Sequence, residues 1–486
     1  LVEQAKELGR RTEALNERRQ QVFGGTELTV IANERVRTEN NCTPRDIVQV
    51  GGRLLFGYNV FLGLKTETAV EDVFSLHKFE PKDGGFDLSA VPLADGGEGF
   101  IVSPGFVEHF RELYRFYKEA KLLQLSRSET KLLAVWQIGG EITDIRVARW
   151  ALTPDGAARY IDNRGERDHD YPPQHDFEWI TLKREDQISG EYPHISIRNK
   201  LFVETTGGDL TVKIENNTAT GKGIYSEPVD DSYQTLDDAV FQYREIGPLI
   251  LMRIRPYREE KWRHLAYCSR TQEVVRIDAI GQACRSLPED HGIIFPGGYF
   301  LQDGQYKVFD GNYATHEFHR AVRSPNGEDV LYVFHARREG LYALFPYNLI
   351  RREVGTPIQC SGYSLFPDGK MVVFRYDSDE PTRVHPMQVW QTPFVSDEHA
   401  AATPDGAGFL GKVGNAELVR GISDSLSVRR FIIEQKPSRQ IYEDLIASCT
   451  RIVDAYHWLG DTTEVGDLRS VLVEIRGTAE LVVDEF

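Results

Sequence analysis

Two matching turns, 42 residues apart, constrain the fold of this chain more than any other feature. Ser324-Pro325-Asn326-Gly327 and Phe366-Pro367-Asp368-Gly369 each precede an apolar run of strand length. Proline presets φ in such a turn, and glycine supplies a positive φ before the strand begins. The strands predicted between the two turns lie at about 330–335, 340–347, 350–354 and 361–366. Four strands in a period of about 40–45 residues are typical of a β-propeller blade.

Further apolar runs of strand length alternate with turn residues through the middle of the chain. They lie at 53–60, 132–138, 145–152, 194–203, 249–254, 267–277, 330–334, 341–345, 371–376 and 387–390. Many short strands with few long helices indicate an all-β sandwich, barrel or propeller. The in-phase turns favour the propeller, so we predict a β-propeller of about six or seven blades across roughly 45–395, with N- and C-terminal helical segments.

Helical patterns interrupt and flank the predicted propeller. Ser103-Pro104 supplies an N-cap and a first-turn proline, and an aromatic stripe then predicts an inserted helix at about 104–124, packed on the propeller side. An N-terminal helix is predicted over 1–24, where a heptad pattern has two polar positions. A C-terminal helical segment is predicted over 415–486.

The terminal helices have two interpretations. They are either short helices packed on the body, or parts of a longer helical or coiled-coil region. No Gly, Asn or Pro stop signal follows the last stripe before Phe486. We therefore expect a longer helix to continue beyond that residue.

Composition narrows the classes of function. Lys and Arg total 57 against 74 Asp and Glu, for a formal charge of −17, which disfavours nucleic-acid binding. The five cysteines form no CxxC pair, as expected for reduced thiols in the cytoplasm. No apolar run approaches the roughly 20 residues needed to cross a bilayer.

Sequence motifs for catalysis are missing. The stretch Thr218-Ala219-Thr220-Gly221-Lys222-Gly223 lacks the first glycine and the final hydroxyl of a phosphate-binding loop. The chain also has no GxSxG, HExxH, EF-hand or Cys/His zinc pattern. Nothing in the sequence places His291 against Cys284, so we do not predict a catalytic dyad there. The chain alone is expected to be non-catalytic and to hold no cofactor.

One loop is unusually dense in charged and imidazole side chains. We name as partner-binding candidates Arg164, Glu166, Arg167, Asp168, His169 and Asp170. A weaker hypothesis is a divalent-metal site made by His169, His175 and Asp176, although no His-x-His or His-x₃-His element supports it. The ordinary interpretation is a salt-bridged connection between blades.

Several stretches resemble the N-terminal region of very large bacterial AAA+ ATPases labelled "DNA repair ATPase". These stretches are 40–47, 54–65, 162–169, 323–335 and 415–424, and the resemblance covers essentially the whole chain. It implies an N-terminal β-propeller, then a spectrin-like or coiled-coil region, then an AAA+ module that lies outside this sequence and would use ATP and Mg²⁺. Oligomerisation would occur through that AAA+ module.

The resemblance also implies partners and a setting, but it transfers no functional residue. Membrane-stress systems with phage-shock-type or flotillin-like proteins are the implied partners, with membrane association only through them. We expect a protein-recognition scaffold. The alternatives are a propeller hydrolase whose channel carboxylates include Asp168, Asp170 or Asp176, and nucleic-acid binding through a basic face.

Overall fold

The structure, a computed structural model, describes residues 1–64, 66–190, 193–215, 223–396 and 404–486, and these are mainly β with a smaller helical share. The stretch 218–222, which spans most of the incomplete phosphate-loop sequence, lies outside the described residues. Two compact units are present. The first comprises Leu1–Asp170, Ala321–Val333 and Arg337–Phe486, and the second comprises Tyr171–Arg320 and Phe334–Ala336.

One long strand, Thr29–Val50, organises the first unit. Its first half pairs with Thr382–Gln391 and its second half with Arg53–Phe61, both antiparallel. The strand begins well before the predicted boundary at 45. Only Ala32 and Val36 are buried between residues 29 and 41, so the sequence there lacks the apolar content of a recognisable strand.

The other strands of the first unit form antiparallel sheets. Around the long strand lie Phe74–His77, Ala90–Val91, Leu341–Asn348, Glu353–Val354, Ile358–Leu365 and Lys370–Arg375. A separate sheet contains Lys121–Arg127, Lys131–Gln137, Ile145–Leu152 and Ala158–Asp162 in sequence order, and a hairpin contains Glu80–Lys82 and Gly85–Asp87. Glu317–Arg323 and Asp329–Ala336 are strands that each contain residues of both units.

The two repeated turns lie where the sequence predicts them. The first turn precedes Asp329–Ala336 and the second precedes Lys370–Arg375. Gly327 and Gly369 have φ of 71° and 85°, which glycine adopts without steric cost. The strands predicted between the two turns are also present, so the structure confirms both predicted turns and the strands between them.

The inserted helix is present but shorter than predicted. It spans Pro104–Phe116, and the strand Lys121–Arg127 occupies the remainder of the predicted range 104–124. The burial of both Leu122 and Leu123 explains the change, because adjacent residues face opposite sides of a strand and both sides are covered here. The helix packs its aromatic face on the sheet, with the rings of Phe106 and Trp150 4.9 Å apart.

The remaining long helices of the first unit are Val2–Phe23, Asn415–Glu434, Arg439–Ala455 and Leu468–Glu485, with short helices at Val70–Val73 and Phe409–Val413. Val2–Phe23 packs against Asn415–Glu434 and Leu468–Glu485. Its heptad positions Ala5, Leu8 and Leu15 are buried in this packing. Ser438 caps its helix, because its hydroxyl accepts a hydrogen bond from the backbone N–H of Ile441.

The two polar positions of the N-terminal heptad are buried and have partners. Thr12 donates its hydroxyl to the carbonyl of Leu8. Arg19 is fully buried and forms an ion pair with Glu328, whose side chain is 1% exposed. The Arg19 guanidinium also donates at 3.0 Å to the carbonyl of Asn326 and at 3.0 Å to Asn415 Oδ1. One arginine therefore joins the N-terminal helix, the first repeated turn and the start of Asn415–Glu434.

The described residues of the second unit form three antiparallel sheets and the short helix Ala279–Gln282. One sheet contains Gln187–Ile188, His194–Ile197, Leu201–Glu204, Asp209–Lys213 and Tyr225–Pro228. A second contains Ile180–Thr181, Val240–Ile246, Leu249–Arg255, Arg263–Cys268 and Glu273–Arg276. A third contains Arg285–Ser286, Gly292–Phe295, Gly298–Leu301 and Tyr306–Val308. The predicted runs 194–203 and 267–277 are each two strands. Positive φ at Asn199 and at Gln272 turns the chain back in each case.

Candidate functional site

The charged loop at 162–170 uses its acidic side chains within the fold. Arg149 pairs with Asp162 through Nε at 2.7 Å and with Asp168 through Nη1 at 2.9 Å, and Lys131 Nζ reaches Asp168 at 2.8 Å. Hydrogen bonds from Lys131 and then Arg149 lower the pKa of Asp168 below its usual range. A carboxylate held ionised in this way suits a structural ion pair and not a general acid.

The other partner-binding candidates of this loop differ in accessibility. Glu166 is half-buried near Arg146, with 3.6 Å between their charged atoms. His169 is buried, and burial lowers its pKa to about 4, so the ring is neutral at pH 7. Arg164, Arg167 and Asp170 are exposed. Of the six candidates, only these three are exposed to a partner.

The proposed metal ligands are occupied by other contacts. His175 Nε2 donates to the carbonyl of Ile280 at 2.7 Å. Asp176 accepts from the backbone N–H of Ser286 and from its hydroxyl at 2.6 Å. Within the ranges that the structure describes, no three His, Cys, Asp or Glu side chains are grouped so that they could hold a metal ion.

The first unit contains a surface pocket of about 340 Å³ that the sequence did not reveal. We call it the acid-rimmed pocket. Its polar lining includes Arg45, Glu339, Arg375, Tyr376, Asp377, Asp379, Glu380, Thr382 and His385. It lies beside the irregular pairing of Thr29–Val50 with Thr382–Gln391, where the register shifts between Arg37 and Cys42.

Arg45 lines the acid-rimmed pocket and is 8% exposed. Its Nη2 donates to the carbonyl of Arg338 at 3.0 Å, whereas Nε and Nη1 have no hydrogen-bond partner among the described residues. Burial lowers the Arg45 pKa to about 10, opposed only by the charges of Glu339 and Asp379. Unsatisfied buried donors are costly, and both atoms have almost no accessible surface, so they are a structural feature of the Arg45 packing and not contacts open to a ligand in the pocket.

Gly340 permits the position of Arg45. Its φ is 68°, and a Cβ atom at this residue would overlap Arg45 Nη1. Both the backbone conformation and the close approach of the guanidinium therefore require glycine.

The rim of the pocket is acidic and exposed. Asp379 accepts a hydrogen bond from the hydroxyl of Tyr376 at 2.8 Å, and Asp377 pairs with Arg375 at 3.2 Å. Glu339 and Glu380 are exposed and form no ion pair within the described part of the chain. Four carboxylates and two guanidiniums line the pocket, so its formal charge is negative.

Cys42 and His385 lie side by side in the pocket wall but do not form an activated pair. His385 Nε2 lies 3.3 Å from Cys42 Sγ and 3.0 Å from Thr38 Oγ1. Burial raises the pKa of the Cys42 thiol to about 11 and lowers that of His385 to about 4. A protonated thiol beside a weakly basic imidazole is a poor nucleophile.

The second unit carries a cluster of arginine and aromatic side chains. The Arg253 guanidinium lies 4.1 Å from the centre of the Trp262 ring and 6.0 Å from that of Trp179, and Arg255 lies 5.1 Å from Trp262. Trp179 and Trp262 are half-buried, whereas Trp136 and Trp150 of the first unit are buried.

These features define a mainly antiparallel β protein with packed terminal helices and an acid-rimmed pocket, and the described residues of that pocket contain no activated nucleophile. The chain belongs to the family described as "ATPase involved in DNA repair", whose family model matches residues 7–457. No curated protein matches the chain.

Solved structures show only low similarity to this chain. An oligogalacturonate lyase in complex with manganese is 10% identical, with 53% of this chain and 71% of that chain covered and a TM-score of 0.17. The Dos1 propeller is 9% identical, with 75% and 95% covered and a TM-score of 0.18. A post-proline cleaving enzyme from Rickettsia typhi is 9% identical, with 83% and 58% covered and a TM-score of 0.24.

The structure also bears on membrane insertion. Across the described ranges, no helix combines the length and the apolar character needed to span a bilayer.

Proposed function

We propose that this chain is a non-catalytic protein-recognition module of a larger AAA+ ATPase. The observation that carries the proposal is the acid-rimmed pocket, where the exposed carboxylates of Glu339, Asp379 and Glu380 line a cavity together with the exposed side chain of Phe61. Such a site offers specific binding contacts without a nucleophile and base. The half-buried Trp262 and its neighbouring arginines support the same class, because Trp and Arg dominate the energetics of many protein interfaces.

The hydrolase alternative receives less support from the carboxylates on which it depends. A catalytic acid would need a raised pKa. The pKa of Asp168 is instead lowered by hydrogen bonds from Lys131 and Arg149, and Asp176 is engaged by Ser286. We therefore favour recognition, and we expect no turnover of ATP or of a small substrate by this chain alone. Measurable ATP hydrolysis by the purified chain would contradict the proposal.

We further propose that the sheets are blades of a seven-bladed propeller. Among the described residues, four sheets of four or five strands lie at about 121–162, 187–228, 240–276 and 285–308, and in this proposal the continuous eleven-stranded sheet divides into three further blades at about 46–91, 317–354 and 358–391. In this proposal the first half of Thr29–Val50 completes the last blade, since it pairs with Thr382–Gln391. An experimental density map with seven wedge-shaped sheets around one axis is the expected result, and any other arrangement rejects it.

The setting of this module is also part of the proposal. The cytoplasm is the proposed location, phage-shock-type or flotillin-like proteins are the proposed partners, and ATP with Mg²⁺ is assigned to an AAA+ module outside this chain. Nucleic acid is not expected to bind, since the formal charge is −17.

The test is affinity capture with the whole 486-residue chain followed by reconstitution. Three baits are compared: the wild type, Arg45→Met, and Asp83→Asn, which changes an exposed acid outside the pocket. A protein enriched by the wild type and by Asp83→Asn but lost with Arg45→Met is then purified and titrated. Partners that bind all three baits equally would reject the pocket as the recognition site.

A further inference from the structure

We propose that the second unit docks an acidic segment of a partner protein on Arg253, Arg255 and Trp262, with Asp or Glu side chains of that segment paired to the two guanidiniums. We call these three residues and Trp179 the arginine–tryptophan cluster. The inference rests on the proposed recognition function, adds a second surface to it, and names the chemistry of the segment that would bind there.

The geometry of one strand brings the two cations together. Arg253 and Arg255 are two residues apart in Leu249–Arg255, so both side chains lie on the same face of the sheet. Trp262 precedes the adjacent strand, and its ring centre lies 4.1 Å from the Arg253 guanidinium and 5.1 Å from that of Arg255. Leu251, two residues earlier on this face, is buried in the core. The face therefore passes from core to two cations that share one ring.

The two cations of the cluster lack a carboxylate. Within the described part of the chain, neither Arg253 nor Arg255 forms an ion pair, whereas the nearby Arg263 pairs with both Glu227 and Glu259. Burial, and then the positive charge of Arg255, lower the pKa of Arg253. An incoming carboxylate would offset this repulsion, and hydrogen bonds between arginine and a carboxylate are among the strongest that proteins form.

The groups that the segment would contact are accessible. Arg255 is exposed, and Trp262 and Arg253 are half-buried. Arg253 Nε is enclosed without a partner and is closed to a ligand, but Nη1 and Nη2 are not enclosed in this way and form no hydrogen bond among the described residues. A ring against a guanidinium leaves its N–H groups free to donate. The accessible part of Trp262 offers apolar surface to a neighbouring side chain of the segment.

The charge of the chain favours a short acidic segment over a nucleic acid. Duplex DNA carries one negative charge per about 1.7 Å, so a protein binds it through many cations at once. This cluster offers two, and the formal charge of the whole chain is −17, which repels a long polyanion. A peptide with a few carboxylates meets the cluster alone. Trp and Arg are also the residues that contribute most to binding at protein interfaces.

The experiment measures fluorescence anisotropy of a rhodamine-labelled Ala-Glu-Leu-Glu-Ala-Glu peptide with an amidated C-terminus, titrated with the whole chain. A matched peptide carries Gln in place of each Glu, and a third probe is a labelled single-stranded thymidine oligonucleotide. We expect only the Glu peptide to bind. Its affinity should fall as the salt concentration rises, because Arg255 is exposed.

Arg255→Met should weaken binding of the Glu peptide about tenfold, because it removes an exposed charge and its donors. The double variant Arg253→Met/Arg255→Met should weaken it further and flatten the dependence on salt. Arg270→Met is the matched control, since it removes an exposed arginine of the second unit outside the cluster, and it should bind like the wild type. If the double variant fails to fold, as judged by circular dichroism, Arg255→Met decides.

Four outcomes would overturn the inference. They are no binding of the Glu peptide, equal binding by Arg255→Met and Arg270→Met, equal binding of the Gln and Glu peptides, and binding of the oligonucleotide in place of the Glu peptide. In each case, capture of a partner that still depends on the acid-rimmed pocket would leave the recognition function standing. Loss of that capture as well would reject both.

Discussion

Replacing Arg19 with methionine is expected to destabilise the packing of the N-terminal helix strongly. Arg19 is fully buried, and its ion-pair partner Glu328 is 1% exposed. Methionine retains most of the apolar stem but none of the donors. The carboxylate of Glu328 would then lose its positive partner inside the protein, and Asn326 and Asn415 would each lose a hydrogen bond.

The expected loss follows from the burial of this pair. Breaking a buried ion pair by removing one partner costs about 3–5 kcal/mol, because the remaining charge stays desolvated. Gln20 and Asn348 still donate to Glu328, at 3.2 and 3.0 Å, and reduce the loss. We expect the free energy of unfolding to fall by about 3–4 kcal/mol. The double variant Arg19→Met/Glu328→Gln should recover part of it, since no charge is then left unpaired.

The assay combines guanidinium unfolding with hydrogen exchange. The two units need not unfold together, so exchange protection of amides in Val2–Phe23 reports the local effect. The exposed pair Arg10–Glu7 provides a matched control, and Arg10→Met should change little. A loss below about 1 kcal/mol for Arg19→Met, with no coupling to Glu328→Gln, would refute a stabilising role for the buried pair.

Three other changes test the same structure. Burial raises the pKa of Asp329 to about 7, so its contribution to stability is present near pH 4 and is lost as the pH rises through about 7. Relative to the Asp329→Asn variant, the wild type should lose up to about 4 kcal/mol of unfolding free energy over this pH window. Unfolding titrations measure the loss, and parallel pH profiles of the two proteins would contradict the assignment. Arg149→Met removes two ion pairs that hold the 162–170 loop and should lower the free energy of unfolding by about 1 kcal/mol. Trypsin should then cleave faster after Arg164, and an unchanged cleavage rate would show that the loop does not depend on Arg149. Gly340→Ala combines a φ of 68° with overlap on Arg45, so it should cost about 1–3 kcal/mol in thermal unfolding, whereas wild-type stability would contradict the close approach.

Much of the secondary structure could be predicted because local chemistry determines it. The turns at 324–327 and 366–369 contain proline and glycine in the positions that a strand start requires, and strands follow both. The helix after Ser103 has its cap and its aromatic stripe. The predicted end of this helix was wrong because Tyr117 continues the aromatic stripe. The residues beyond it, Lys121–Arg127, instead form a strand that pairs with Lys131–Gln137, and a helical pattern does not reveal such pairing.

The candidate site could not be predicted in the same way. The sequence drew attention to the 162–170 loop because its charges are adjacent, but Arg149 and Lys131 pair with its carboxylates from neighbouring strands. The pocket depends on Arg45 and on residues more than 290 positions away, which only the fold brings together. One signal was available: Arg45-Asp46 places two charges beside an apolar strand. Each such charge needs a partner if it is buried.

The adjacent residues Arg45 and Asp46 are both charged and buried, but only Asp46 has its charge satisfied by hydrogen bonds. Asp46 is buried, and its carboxylate accepts hydrogen bonds from the backbone N–H of Leu125 at 2.9 Å and from the hydroxyl of Tyr342 at 2.8 Å. These contacts fix the strand at the residue next to Arg45. A guanidinium with two unsatisfied donors would otherwise move towards water, because desolvation opposes its burial. The satisfied charge of Asp46 thus holds the backbone that carries Arg45, and this keeps the guanidinium buried against Gly340 although two of its donors are unsatisfied.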